Sequence, residues 1–341
     1  MKGASSIWQR LRGANNEGLL ALVLILIVAG MSIANPAFFS IGTLYQLVIN
    51  SMVPLVMALA VLMVIISGGI DVSFYAIAMF ASYATVKLLL KLNWSGGWMA
   101  LGAAGIALVI GAGLGLVNGS VIARWRTPTL IVTLGTQSIF TGVVLAYIGA
   151  QYIIDLPSSM DSLYGYRLLD TKDGYLHALI IPVVLLVIGV SFLLRKTMFG
   201  RSIYAIGGDA EAARRIGFKV ARTQMILYVI VGMMAALGGI IFVIMSRHAN
   251  PKDLVGGELN IIAAVVLGGA SVFGGRGSVI GTVLGVALIQ VINSSLILIG
   301  VPSAWQRAAV GLLLVIGVGI QAITANQAKK AAVTSHQEGS E

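Results

Sequence analysis

The acids and amides of this chain are few, and most stand where an apolar run breaks. Three glycine pairs each lead into an acid: Gly68-Gly69-Ile70-Asp71, Gly207-Gly208-Asp209 and Gly256-Gly257-Glu258. Paired glycines let the backbone turn sharply, and an acid placed after them meets the positive end of the next helix. Such a site can cap a helix, or it can line a break in one, as transporters build them. Asp71 with Ser73, and Glu258 with Asn260, are therefore candidates for a translocation pathway or gate. An isolated Asp in hydrocarbon costs ~2.5–3.5 kcal/mol, so Asp71 has to be paired, capped or wet. Asn118, Thr133, Thr136, Gln137 and Asn293, with Gln290, lie inside apolar runs and offer partners to a neutral, hydroxyl-rich solute. The same side chains serve equally as helix-to-helix hydrogen bonds of ~0.6 kcal/mol each, and nothing in the sequence ranks them.

The residue types also exclude chemistry. There is no Cys, which removes disulfides, thiolate metal sites and a cysteine nucleophile. His177, His248 and His336 are too scattered for a metal site, and no Ser/His/Asp or paired-carboxylate set can be assembled. Gly268–Gly277 is glycine-rich but lacks the lysine of a P-loop, so the chain does not itself use ATP by that mechanism. The expectation is a protein that is no enzyme and holds no cofactor or metal.

One polar stretch, Arg195 to Arg222, carries seven of the 22 Lys and Arg and contains a short helix marked at both ends. Asp209 can accept from the first free N–H groups, Arg214 and Arg215 suit the negative end, and Gly217 supplies a left-handed stop. Two turns of helix are not stable alone in water, so a partner must hold them.

The elements around these residues are membrane spans. The chain is 58% hydrophobic and 10% charged, against about 25% charged in a soluble domain. Runs such as Leu19–Ile33, Pro54–Ile66 and Met225–Ile244 show no polar face and, with their flanks, reach the ~20 residues that cross hydrocarbon. About ten spans are expected: 18–35, 43–67, 73–91, 98–122, 128–149, 177–195, 223–246, 257–273, 277–299 and 304–324. Gly268–Gly277 leaves open a re-entrant turn around spans eight and nine. The net charge of +10 sits in juxtamembrane clusters, which fits the positive-inside rule rather than nucleic-acid binding. Both termini are then cytoplasmic, with a segment 1–17, a transmembrane domain 18–324 and a disordered tail 325–341. Loop 195–222 is cytoplasmic, and loop 150–176 folds over the outer mouth. Lys and Arg before the first run resemble a signal peptide, but no prompt small-residue cleavage site follows, so it reads as a retained span.

Three stretches together resemble one family. They are Ser67–Ser73, Val117–Thr136 and the discontinuous set Phe199–Arg214, Gly256–Gly269 and Gly274–Gly277. They are similar to permease subunits of ribose-, galactoside- and xylose-type ABC importers, over roughly residues 18–325. The resemblance implies an all-α permease of the type II kind in a bacterial inner membrane. Its partners would be a second permease copy, a cytoplasmic ATPase and a periplasmic sugar-binding protein. It also implies that Asp209, Glu211, Ala212, Ala213, Arg214, Arg215, Ile216, Gly217 and Phe218 form the helix that couples to the ATPase. One departure stands out: where the family has small residues after Ser73, this chain has Phe74-Tyr75-Ala76. A branched-chain amino acid or nucleoside importer, and an ion-coupled transporter, are the alternatives.

Overall fold

The computed structural model describes residues 17–93, 99–125 and 127–302, with isolated positions between 305 and 319. The span expected at 304–324 and the tail after it therefore lie largely outside the described residues. The helices are α1 (Glu17–Ala34), α2 (Ile41–Ile66), α3 (Phe74–Leu92), α4 (Met99–Trp125) and α5 (Thr129–Val143). After α5 comes one π-helical turn, Val144–Ile148. There follow α6 (Ser158–Tyr164), α7 (Ile180–Lys196), α8 (Met198–Gly208), α9 (Ala210–Arg215), α10 (Val220–Ser246), α11 (Glu258–Leu267) and α12 (Val279–Leu298). Seven of these runs are long and apolar enough to cross a membrane: α1 to α4, α5 taken together with the π-helical turn (Thr129–Ile148), α10 and α12. Helices α7 and α8 form an eighth candidate, bent by 71°.

At the centre stands α2, whose residues Val56 to Ile66 are all at most 1% exposed. A helix apolar on every side belongs inside the bundle. Helices α4 and α10 make the most extensive contact in the fold. Gly111 and Gly115 of α4 lie directly on the backbone of Gly232 and Tyr228, where a methyl group would collide with carbonyl oxygens. Gly281 and Gly285 likewise seat α12 on Gly268 and Ala264. Without a hydrophobic drive between helices in lipid, such backbone approach supplies the packing.

Two expectations change in detail. The run at 257–273 holds a ten-residue helix, α11, of about 15 Å, half the hydrocarbon thickness. The chain is not wholly helical either, because β1 (Arg167–Thr171) pairs antiparallel with β2 (Gly174–His177). With α6 this hairpin makes a hat at the end of the bundle opposite α9. Its turn rests on Gly42 at the start of α2, and Asp161 pairs with Arg247 at the end of α10, Oδ1 to Nη2 2.9 Å.

The hat contains a pH-sensitive group. Buried His177 accepts the Leu179 N–H at Nδ1 (3.1 Å), so its proton is on Nε2, donated to the Tyr164 carbonyl at 3.1 Å. Burial pushes the imidazole pKa below its ordinary value. The neutral form is thus favoured when folded, and stability present at neutral pH is lost as pH falls through the unfolded value of about 6.5. Amides between Tyr164 and Leu179 should exchange hydrogen faster at pH 5.5 than at 7.5, after correction for intrinsic rates. Equal protection at both would remove His177 from the account.

Candidate functional site

After α2 the chain turns at Gly68 (φ +83°) and runs without regular secondary structure to Ser73. No helix satisfies this backbone, so the first turns of α5 do. Ile70 N–H donates to Thr129 Oγ1 at 2.9 Å, and Val72 N–H to Thr133 Oγ1 at 3.3 Å. Thr133 Oγ1 returns a bond to the Ile70 carbonyl at 3.3 Å. Asp71 Oδ1 accepts from both the Ser73 N–H and hydroxyl, each at 2.7 Å, and Asn118 Nδ2 of α4 donates to Ser73 Oγ at 2.8 Å. Asp71, Ser73, Asn118 and Thr133 are all 0% exposed. Asp71 Oδ2 and Asn118 Oδ1 have no hydrogen-bond partner among the described residues.

A second cluster forms where α11 begins. Glu258, 8% exposed, accepts from Gln137 Nε2 of α5 at 2.9 Å. The Gly256 N–H donates to both its oxygens, at 3.2 and 3.0 Å. Gly257 lies against the edge of the Tyr75 ring on the first turn of α3. Helix α10, 27 residues or about 40 Å, runs from the α9 end to the hat. The short α11 ends at Gly268 against Gly281, and the turn that follows meets Gly207 at the α9 end, so its N-terminus, about 15 Å back, stands at mid-depth in the bundle.

The third feature is α9. Asp209 Oδ1 accepts from the N–H groups of Glu211 (2.8 Å) and Ala212 (3.0 Å). Those amides, Ala212 first, hold its carboxyl below the usual carboxylate range. Arg214 pairs with Glu211 at 2.7 Å. Gly217 (φ +98°) ends the helix, with Phe218 N–H bonded to the Ala213 carbonyl at 3.0 Å. Just before α9, Gly207 meets backbone alone. A methyl group there would collide with the Ile66 carbonyl and stand 2.6 Å from Gly275 N. The Gly275 N–H in turn donates to that carbonyl at 2.8 Å, and Gly274 (φ +87°) packs on Gly68 and Gly207. The end of α2, the end of α8 and the turn before α12 thus meet at one junction of glycines.

Over residues 43–318 the chain matches the family described as Branched-chain amino acid transport system / permease component. It belongs to that family. It is 32% identical over 301 residues to an autoinducer 2 import system permease protein of Yersinia enterocolitica serotype O:8 / biotype 1B, spanning 88% of this chain and 81% of that one. It is 32% identical over 303 residues to the ribose import permease protein of Escherichia coli strain K12, spanning 87% and 91%. An autoinducer 2 import system permease protein of Enterobacter sp. strain 638 is 34% identical over 300 residues, spanning 88% and 84%. No solved structure matches. The resemblance to sugar-type ABC permeases read from the three signatures therefore holds, and the chain is a multi-pass membrane permease component.

In this permease the pathway candidates fall into separate places. Asp71, Ser73, Asn118 and Thr133 share the buried nest, where Asp71 folds the start of α3. Thr136 bonds back to the Thr133 carbonyl of its own helix at 3.3 Å. Gln137 and Glu258 bond directly, with half-buried Asn260 on the same first turn of α11. Asn293 is apart on α12, its Oδ1 buried and unpartnered among the described residues. Beside α9 a cavity of about 1040 Å³ is lined by residues including Arg124, Trp125, Thr127, Arg214, Lys219 and Arg222. Sequence reasoning missed Tyr228, which faces Asp71 from α10, and Tyr75, which it noted only as a departure.

Proposed function

We propose that the chain is the permease subunit of an ATP-driven, binding-protein-dependent importer of a sugar or sugar-like solute in a bacterial inner membrane. The α9 end faces the cytoplasm, as the basic residues at 195–222 favour, and the hat faces the binding protein. Two permease copies enclose the path, and a separate ATPase grips residues 209–218. The observation that carries this reading is the glycine junction. A force applied to α9 reaches the α2–α3 break and the turn before α12 together, because Gly207 sits on Ile66 and Gly275 with no side chain between. The relatives named for ribose and autoinducer 2 support a hydroxylated cargo.

The family description favours a second reading, a branched-chain amino acid as cargo. Against it, among the described residues no cation joins Glu258 that could take an amino acid's carboxylate, and the groups bonded there are amides, which suit a neutral solute. In cells carrying the whole transporter, uptake of one among a panel of pentoses, hexoses and polyols should survive a protonophore. It should stop when ATP is depleted. Collapse with the protonophore alone would mean ion coupling, and competition by leucine but by no sugar would move the cargo to amino acids.

A further inference from the structure

The cluster at the start of α11 has one member without a role. Tyr75 is 6% exposed, yet its hydroxyl makes no hydrogen bond among the described residues. Its ring edge stands 3.0 Å from where a Cβ on Gly257 would be, and it lies within electrostatic range of the Glu258 carboxylate. The oxygen is not among the enclosed unpartnered atoms of the fold, so it keeps open space in front of it while the ring is buried. Beside it, Glu258 accepts three contacts from two donor groups, the Gln137 amide and the Gly256 N–H, which leaves acceptor capacity on a carboxylate with about four lone-pair sites. Gln137 uses only its NH2 group there, so its carbonyl oxygen is available, and Asn260 makes no side-chain hydrogen bond among the described residues. These groups come from three elements, α3, α5 and α11. They share the mid-depth N-terminus of a ten-residue helix, whose dipole favours an electron-rich oxygen. The cluster borders exposed surface, since Leu259 is 63% exposed and α5 presents Leu134 and Ile139 at 49% and 60%. A solute moving along that face would pass it.

We propose that Tyr75, Gln137, Glu258 and Asn260 form a hydroxyl-recognition station for a neutral, polyhydroxylated solute halfway through the permease. The station gives the permease a selectivity of its own, added to that of the delivering protein. The Tyr75 hydroxyl and the Gln137 and Asn260 amides bond sugar hydroxyls while Glu258 accepts from one. The ring of Tyr75, packed against Gly257, narrows the space and offers an apolar edge. This rests on the sugar-permease reading above.

The test uses the complete transporter in proteoliposomes, with its binding protein and ATPase. Maximal uptake rates are measured for each pentose and hexose accepted and for single-deoxy analogues. Tyr75→Phe removes one oxygen and keeps the ring, so the fold is not at issue. The expected result is a fall in maximal rate of about three- to tenfold, the worth of one hydrogen bond, for sugars carrying the recognised hydroxyl. The analogue lacking that hydroxyl should change less than about twofold, while half-saturation, set by the binding protein, stays put. Gln137→Met, of similar volume, should shift the ranking of sugars from the opposite wall. An unchanged ranking in both variants, or an equal fall for every sugar, overturns the station and leaves the importer intact. Wild-type vesicles that accumulate no sugar on ATP overturn the importer reading, and the station with it.

Discussion

Replacing Ala213 with proline should abolish ATP-driven uptake while the permease still inserts and withstands detergent extraction. The Ala213 N–H donates to the Asp209 carbonyl at 2.9 Å, and the residue is 2% exposed. Proline removes that bond and drives its ring into the carbonyl one turn back, which costs about 3 kcal/mol in a helix interior. Helix α9 spans six residues and has almost no stability to spare. The change is confined because α9 lies outside the span-forming core, whose centre is Val56 to Ile66 of α2. Uptake should fall below a tenth of wild type. The stimulation of ATP hydrolysis by loaded binding protein should vanish with it, since the proposal makes the grip and the lever the same segment. Retained uptake with α9 broken would end the coupling role.

The ends of α9 could be read in the sequence because capping is local. Within nine residues, Asp209 takes the N–H groups of Glu211 and Ala212, and Gly217 closes on the Arg214 carbonyl. Most spans were legible for a similar reason, since a run such as Pro54–Ile66 needs no distant partner to declare itself buried. Helix α11 was not, because its hydrophobicity matches a full span and its length is set by neighbours. It starts where Glu258 meets Gln137, 121 positions away, and stops at Gly268 against Gly281. The β1–β2 hairpin escaped notice because its five exposed residues in β1 show no alternation of polar and apolar faces.

The site was half legible. Residue type correctly marked Asp71, Ser73 and Asn118 as polar groups needing partners, and the structure joins them by hydrogen bonds of 2.7–2.8 Å. What residue type could not reveal is that these groups bond one another in an enclosed nest, with Asp71 Oδ2 and Asn118 Oδ1 left over inside it, whereas Gln137 and Glu258 meet beside exposed surface. That distinction depends on which helices cross at each depth. Tyr75 shows the limit best. Its neighbour Phe74 is fully buried with ring centroids 4.6 Å apart, so one ring of the pair is core packing and the other borders the α11 start. Their types are alike, and their one-residue offset on α3 decides between them.

Gly207→Ala should be among the most damaging single-methyl additions in the chain, and Gly208→Ala among the mildest. The two glycines are adjacent on the last turn of α8, yet their surroundings are opposite. A methyl group on Gly207 collides with the Ile66 carbonyl and crowds Gly275 N, both backbone, so no rotamer change relieves it. The Gly275–Ile66 hydrogen bond of 2.8 Å must then open or α8 must lift away. Overpacking costs about 1–3 kcal/mol when side chains can yield, and a backbone-only junction puts this case at or above the top of that range. Gly208 has nothing within 4 Å of the same position, so alanine there meets open space and gains helix propensity. Thermal unfolding of the detergent-solubilised permease should show a clear loss for the first variant and none for the second. Uptake should follow the same order, because lifting α8 separates α9 from the α2–α3 break it is proposed to move. If Gly207→Ala melts and transports like wild type, the junction is no rigid joint, and α9 must act on the bundle through α10 instead.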